Sequence, residues 1–352
     1  MSGGRRPPGT TPRCLEYIPG GNRGLCTRDA KKLVPAALVL VALAGCDRRA
    51  PSALDSRGPA AHRLAGLWWL MFGLAIAIYA VVAGLVLFGA VRGRPAGSSR
   101  RTDDAFIWLG GIAGPVAVLM LLAVVTVTTT NALVRNEPGA LRIEAVGHDW
   151  WWEVRYPGTG VVTADEIHVP AGRPVELGLR SDDVIHSFWV PQLAGKVDMI
   201  PGQRNVLRFE AGRPGTYRGQ CAEICGIQHA NMSFLVIAEP AGDFGRWLTR
   251  EQLLRGEPAS QSSAEGEAVF VRNSCAGCHT IRGTEAHGTL GPDLTDFGSR
   301  RTIGAGTLPN IRGNLGGWIA NAQSLKPGSL MPPVNLSSSD LLALVDYLES
   351  RR

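Results

Sequence analysis

Charge is scarce in this sequence: Asp, Glu, Lys and Arg make up only 19% of its 352 residues. Aromatic residues are few as well, at 7%. The formal net charge is +6, but arginines near the N-terminus and between the apolar segments supply much of it. No basic stripe with interleaved aromatics runs along the chain, so nucleic acid is excluded as a partner. Disorder is excluded by the 45% hydrophobic content. A dispersed disulfide framework is also missing. Cys221 and Cys225 form one close pair and Cys275 and Cys278 another, each with His and Met nearby, which favours metal or haem chemistry. Cys14, Cys26 and Cys46 lie in the N-terminal region. The length allows two or three compact units.

Long apolar runs are present. Lys31 and Lys32 precede Leu33 to Ala44, which is too short to span a bilayer and reads as an export signal. The thirty residues ahead of it are unusual for a signal, which leaves the start of translation open. The run ends Leu43-Ala44-Gly45-Cys46, which resembles the lipobox of bacterial lipoproteins and implies acylation of Cys46. A chance cluster of small residues is the alternative. Residues 1–45 are thus expected to be an extension and signal, and 46–63 an external linker. Segments 64–91 and 105–127 exceed the roughly 20 residues needed to cross a hydrocarbon core, and predict a transmembrane hairpin over 64–132. Pro115 is tolerable there. Arg92, Arg94, Arg100 and Arg101 place the connecting loop in the cytoplasm, so both long ends lie outside.

From 140 to 240 the texture becomes short alternating runs, such as Val175 to Arg180 and Asn205 to Glu210, separated by Gly- and Pro-rich turns. This predicts a β-sandwich or barrel. A linker is expected over 241–262, flexible near Gly256 to Ser263, and a helical unit over 263–352. Its last helix begins near Asp340, with Ser337 placed to cap it.

Within the β-region, GQCAEICGIQHANMSF places Cys221, Cys225, His229 and Met232 close together, and SDDVIHSFWVP supplies His186. Two thiolates, two imidazoles and a thioether form a soft set suited to copper in electron transfer. A structural zinc site is the alternative, but zinc does not recruit Met, and Cys-x3-Cys is not its usual knuckle spacing. Two thiolates can bridge two copper ions that share one electron.

This arrangement resembles the CuA centre of cytochrome c oxidase subunit II, from the membrane hairpin to about Glu239. The resemblance implies a cupredoxin-like Greek-key sandwich holding two copper ions. The implied ligands are His186, Cys221, Cys225, His229, Met232 and the backbone carbonyl of Glu223, whose side chain would help hold a magnesium ion shared with subunit I. The match extends to Asp183 and to Lys196 through Gly202. In GHDWWWEVRY, Trp150 matches the residue at which electrons arrive, while Trp151 and Trp152 suit core packing or a subunit contact. One departure concerns a family glutamate near the start of the second membrane helix. Here that region carries Asp103 and Asp104 instead, and interfacial charge is the simpler reading of both.

NSCAGCHTIRG has the Cys-x-x-Cys-His spacing of c-type haem attachment, through Cys275, Cys278 and His279. The unit resembles class I cytochrome c, an all-α fold. That resemblance implies one covalently bound haem c with Met331, in Leu330-Met331-Pro332-Pro333, as the second axial ligand. His287 is the rival ligand. The chain as a whole is expected to be a multi-pass protein of a bacterial cytoplasmic membrane, with both redox units on the outer face. It would carry electrons from a c-type cytochrome or bc-type complex through haem c to the copper pair. Oxidase subunits I and III are the expected partners, with oxygen reduction and proton translocation in subunit I. No residue here breaks substrate bonds. A quinol-oxidase homologue would lack the copper ligands, a copper carrier would need no haem unit, and a nitrous oxide reductase would lack the hairpin.

Overall fold

The computed structural model describes residues 51–92, 104–254 and 261–352. The export signal with Cys46, the loop arginines Arg94, Arg100 and Arg101, Asp103, and residues 255–260 of the expected linker lie outside the described residues.

Helices α1 (Pro59–Arg92) and α2 (Asp104–Leu133) are each long and apolar enough to cross a membrane. Their large apolar side chains face outward; Val91 is 85% exposed. Both run past the limits expected from hydropathy. At the end of α2, Thr128 Oγ1 donates to the Val124 carbonyl at 2.9 Å, so a polar residue is satisfied within its own helix. Pro115 has no N–H to give, and the turn before it widens to a π-helix over Ile107–Ala113, with Gly114 N–H bonded to Leu109 O. The start of α1 is pinned to the next unit. Arg57 and Ala61 N–H groups donate to the carbonyls of Gln192 and Leu193, and Ala60 joins the core of that unit.

That unit is a sandwich of two five-stranded sheets. One has the order β3-β2-β1-β5-β8 and the other β4-β10-β9-β6-β7. The strands are β1 (Leu141–His148), β2 (Trp151–Tyr156), β3 (Val161–Ala164), β4 (Glu166–Pro170), β5 (Val175–Ser181), β6 (His186–Trp189), β7 (Val197–Met199), β8 (Asn205–Phe209), β9 (Gly215–Cys221) and β10 (Ser233–Glu239). β1 pairs with β5 and β4 with β10 in parallel, so the chain crosses between sheets rather than meandering. Period-2 alternation sends Ile143, Val154, Leu177, Phe188, Phe234 and Val236 into a shared core. Trp152, fully buried, meets Phe188 and Phe234 at ring-centroid distances of 5.6 and 5.0 Å.

The expected linker needs correction over its first half. Residues Ala241–Leu253 form helix α3. Phe244, Trp247 and Glu251 recur at helical spacing and are buried, and Trp247 stacks on His168 at 4.1 Å. Two aromatics and one buried acid make a stripe too short to stand out between two larger units.

The C-terminal unit contains α4 (Gln261–Arg272), a two-stranded β11 (Thr302–Ile303) and β12 (Leu308–Pro309), α5 (Arg312–Leu325) and α6 (Ser338–Glu349). Helices α4 and α6 cross at Gly266, where a Cβ would collide with the Ala343 carbonyl and with Tyr347. Only glycine permits so close an approach. Ser337 Oγ accepts the Asp340 N–H at 3.1 Å, the cap expected from sequence.

Candidate copper centre and haem-binding unit

Three neighbouring strands deliver the soft ligands to one end of a sheet. His186 opens β6, Cys221 closes β9, and Met232 immediately precedes β10. Because β9 is antiparallel to both neighbours, these three positions share an edge. The Cys221 N–H donates to the Met232 carbonyl at 2.8 Å and closes the loop that carries Cys225 and His229.

Within this loop the donor atoms converge. Cys221 Sγ lies 3.7 Å from Cys225 Sγ and 3.9 Å from His186 Nδ1. Cys225 Sγ lies 3.7 Å from His229 Nδ1 and 3.8 Å from Met232 Sδ. The Glu223 carbonyl oxygen is 3.2 Å from Cys221 Sγ. His186 and both cysteines are buried. The residues therefore fit a pair of copper ions: sulfur sits between the two imidazoles, with a thioether and a carbonyl at the flanks. The same six residues named from sequence are brought together.

The surroundings orient these donors. Asp183 Oδ1 accepts from His186 Nε2 at 2.7 Å, which leaves Nδ1 for a metal. Asp183 is held by the N–H groups of Asp149 and Val184, both at 2.6 Å. Burial disfavours a charged His186, but Asp183 and Cys221 outweigh it and raise its pKa to about 9 without metal. The hydrogen bond between the two sulfurs lowers the Cys221 pKa against burial and raises that of Cys225. The two thiols therefore titrate as a coupled pair.

Trp150 sits beside the site, with Nε1 donating to the Cys225 carbonyl at 2.8 Å. Gly226 takes φ +113, and a Cβ there would lie 2.9 Å from the Trp150 ring. Trp151 instead stacks on His148 at 4.4 Å. Of the three tryptophans, only Trp152 is fully buried. The Glu223 carboxylate faces Lys196 Nζ at 3.4 Å. Asp104 is the first residue of α2 and is exposed.

In the C-terminal unit, Cys275 opens a single 3-10 turn, Cys275–Gly277, which brings Cys278 and His279 round beside it. His279 Nδ1 faces the Pro292 carbonyl at 2.8 Å, so Nε2 is the nitrogen left for iron. Burial lowers the pKa of His279 and favours the neutral ring a metal needs. Gly291 packs against this imidazole so closely that a Cβ would lie 2.6 Å from it. These features fit a haem bound through His279. Met331 is half-buried, and Gln323 Nε2 donates to its carbonyl at 2.8 Å. His287 is exposed and pairs its backbone with Thr280.

Sequence reasoning misses Gln228, Gln323 and Lys326, which position these loops. Their partners are mainly backbone carbonyls, which leave no trace in a residue pattern.

Fold and donor set together define a membrane-anchored redox protein with one copper-binding and one haem-binding unit. Residues 159–239 match the family model described as Cytochrome C oxidase subunit II, periplasmic domain, and residues 263–352 match that described as Cytochrome c. Cytochrome c oxidase subunit 2 of Alkalihalophilus pseudofirmus is 33% identical over 337 residues, covering 92% of this chain and 97% of that protein. The Bacillus subtilis protein of the same description is 29% identical, covering 89% and 95%. The periplasmic domain of subunit II of cytochrome oxidase of Bradyrhizobium japonicum matches 33% of this chain and 96% of its own at 30% identity, with a TM-score of 0.32. The chain belongs to the cytochrome c oxidase subunit 2 family and carries a cytochrome c domain at its C-terminal end. It is a subunit of an oxidoreductase complex with an electron-transfer role; its two domains imply copper and haem.

Proposed function

We propose that this chain receives electrons from an external donor, a c-type cytochrome or a bc-type complex, and relays them through one covalent haem c to two copper ions and on to subunit I. Oxygen is reduced to water there, coupled to proton translocation, and subunit III completes the partners. The observation that carries this reading is the convergence of Cys221, Cys225, His186, His229 and Met232 within contact distance.

When bound, the copper pair and the haem supply two one-electron carriers of low reorganisation. What the chain does follows from its own side chains. Cys221 and Cys225 would hold the copper as thiolates, His186 and His229 would offer Nδ1, and Met232 and the Glu223 carbonyl would complete the donor set. Asp183 fixes the His186 ring. Trp150 joins the outer surface to the Cys225 carbonyl. Cys275 and Cys278 would hold the haem through thioether links, and His279 and Met331 would be its iron ligands.

The Glu223 carboxylate would help hold magnesium against subunit I, exchanging Lys196 for the metal. Cys46 would carry the lipid anchor, and Asp103 and Asp104 serve as interfacial charges. The membrane is the bacterial cytoplasmic one, with 64–132 as its hairpin, and with 140–240 and 263–352 outside. The test is metal and haem analysis of the purified complex with site-resolved spectra. We expect two coppers per chain with a mixed-valence signal, and one covalent haem. Zinc in place of copper, or haem lost on acid extraction, would overturn the assignment.

A further inference from the structure

A buried cation joins the two redox units. Lys326, at the end of α5, is 2% exposed. Its Nζ donates to three backbone carbonyls: Trp150 at 2.7 Å, Asn231 at 2.8 Å and Gly304 at 3.0 Å. Two of these belong to the copper-binding unit and flank its ligands, since Asn231 lies between His229 and Met232. The third belongs to the haem-binding unit. Burial lowers the pKa of Lys326 to about 8, and the Asp165 carboxylate opposes that shift.

The contact is one of several at the seam. Gln228 Nε2 donates to the Pro327 carbonyl at 2.8 Å. The Ser233 N–H donates to Ala305 O, and Ala305 N–H returns to Asp165. Glu166 accepts from the Arg301 N–H at 2.6 Å. Buried donors and acceptors paired at this many points describe a specific docked face, not a chance touch.

We propose that Lys326 is a positioning residue that pins the haem-binding unit on the loop carrying the copper ligands, so that electrons cross in one fixed geometry. This rests on the relay described above. In each crossing one electron leaves ferrous haem, which becomes ferric, and the copper pair is reduced by one; no bond or proton changes place. The Gly304 carbonyl also accepts from Thr307 Oγ1, but the Trp150 and Asn231 carbonyls lose their ammonium donor when the lysine is removed, which strands buried acceptors and loosens the seam. An undocked fraction would then limit transfer by domain motion.

The test uses the full oxidase complex with Lys326→Met and the milder Lys326→Gln, whose amide retains some donors. Amide hydrogen exchange at Ser233, Arg301 and Ala305 reads docking without reference to the metals. Photoinitiated reduction of the haem reads the rate of copper reduction as a function of viscosity. For Lys326→Met we expect exchange at those amides to rise about ten-fold or more. We also expect transfer to slow about ten-fold and become viscosity-dependent, with copper and haem spectra unchanged. Lys326→Gln should fall between, and decides the matter should the Met variant fail to fold. Unchanged exchange, or faster exchange with transfer at the wild-type rate, would overturn the role of Lys326. Absence of haem-to-copper transfer in the wild type would instead overturn the relay, and leave exchange to judge the pin.

Discussion

The copper-binding end of the sandwich and the haem-binding unit assemble their candidate ligands at different levels of structure. His186 reaches its partners only because β6 and β9 are neighbours, with Phe188 opposite Cys221. Cys275, Cys278 and His279 lie on one turn and need little more than that turn. The copper site is therefore a property of the whole sandwich, whereas the haem attachment site is a property of a short segment. Damage to the β-core should reach the first and spare the second.

The strongest test of that contrast is to remove one ligand from each. Cys221→Ser should abolish both the mixed-valence copper signal and oxygen uptake with a reduced cytochrome donor, yet leave the covalent haem spectrum intact. Replacing Cys275 and Cys278 by alanine should remove covalent haem and leave the copper count unchanged. If either pair of readouts falls together, the two sites are not independent. Next comes the core. Trp152→Ala should destabilise the sandwich by roughly 3–5 kcal/mol in denaturant titration. Copper should be lost at lower denaturant than haem-unit helicity.

Smaller effects sharpen the contrast. Asp183→Asn keeps every ligand but weakens the orientation of His186, and should lower copper affinity by about 10–100-fold in competition with a chelator. Unchanged affinity would show that the sandwich alone orients the ring. In the haem unit, Ser337→Ala removes the cap of α6 and should cost about 1 kcal/mol without altering the haem spectrum.

Much of the fold is legible in the residue pattern. The hairpin follows from charge-free runs, the strands from alternation, and the α6 cap from Ser337. Each of these is a local pattern with a fixed period or offset. Helix α3 reads as linker because its stripe of Phe244, Trp247 and Glu251 is short. The close crossing of α4 and α6 at Gly266 is invisible in the sequence, because a glycine gives no sign of what approaches it.

The candidate donor set was read from the sequence alone, since chemistry selects residue types: sulfur and imidazole suit copper, and Cys-x-x-Cys-His suits haem. Tertiary structure decided which nitrogen of each histidine is free, that Trp152 is core while Trp150 borders the metal loop, and that Lys326 bridges the two units. Those outcomes rest on backbone carbonyls and on side chains far apart in the chain. Carbonyls are common to every residue and become specific only once folding has fixed where they point.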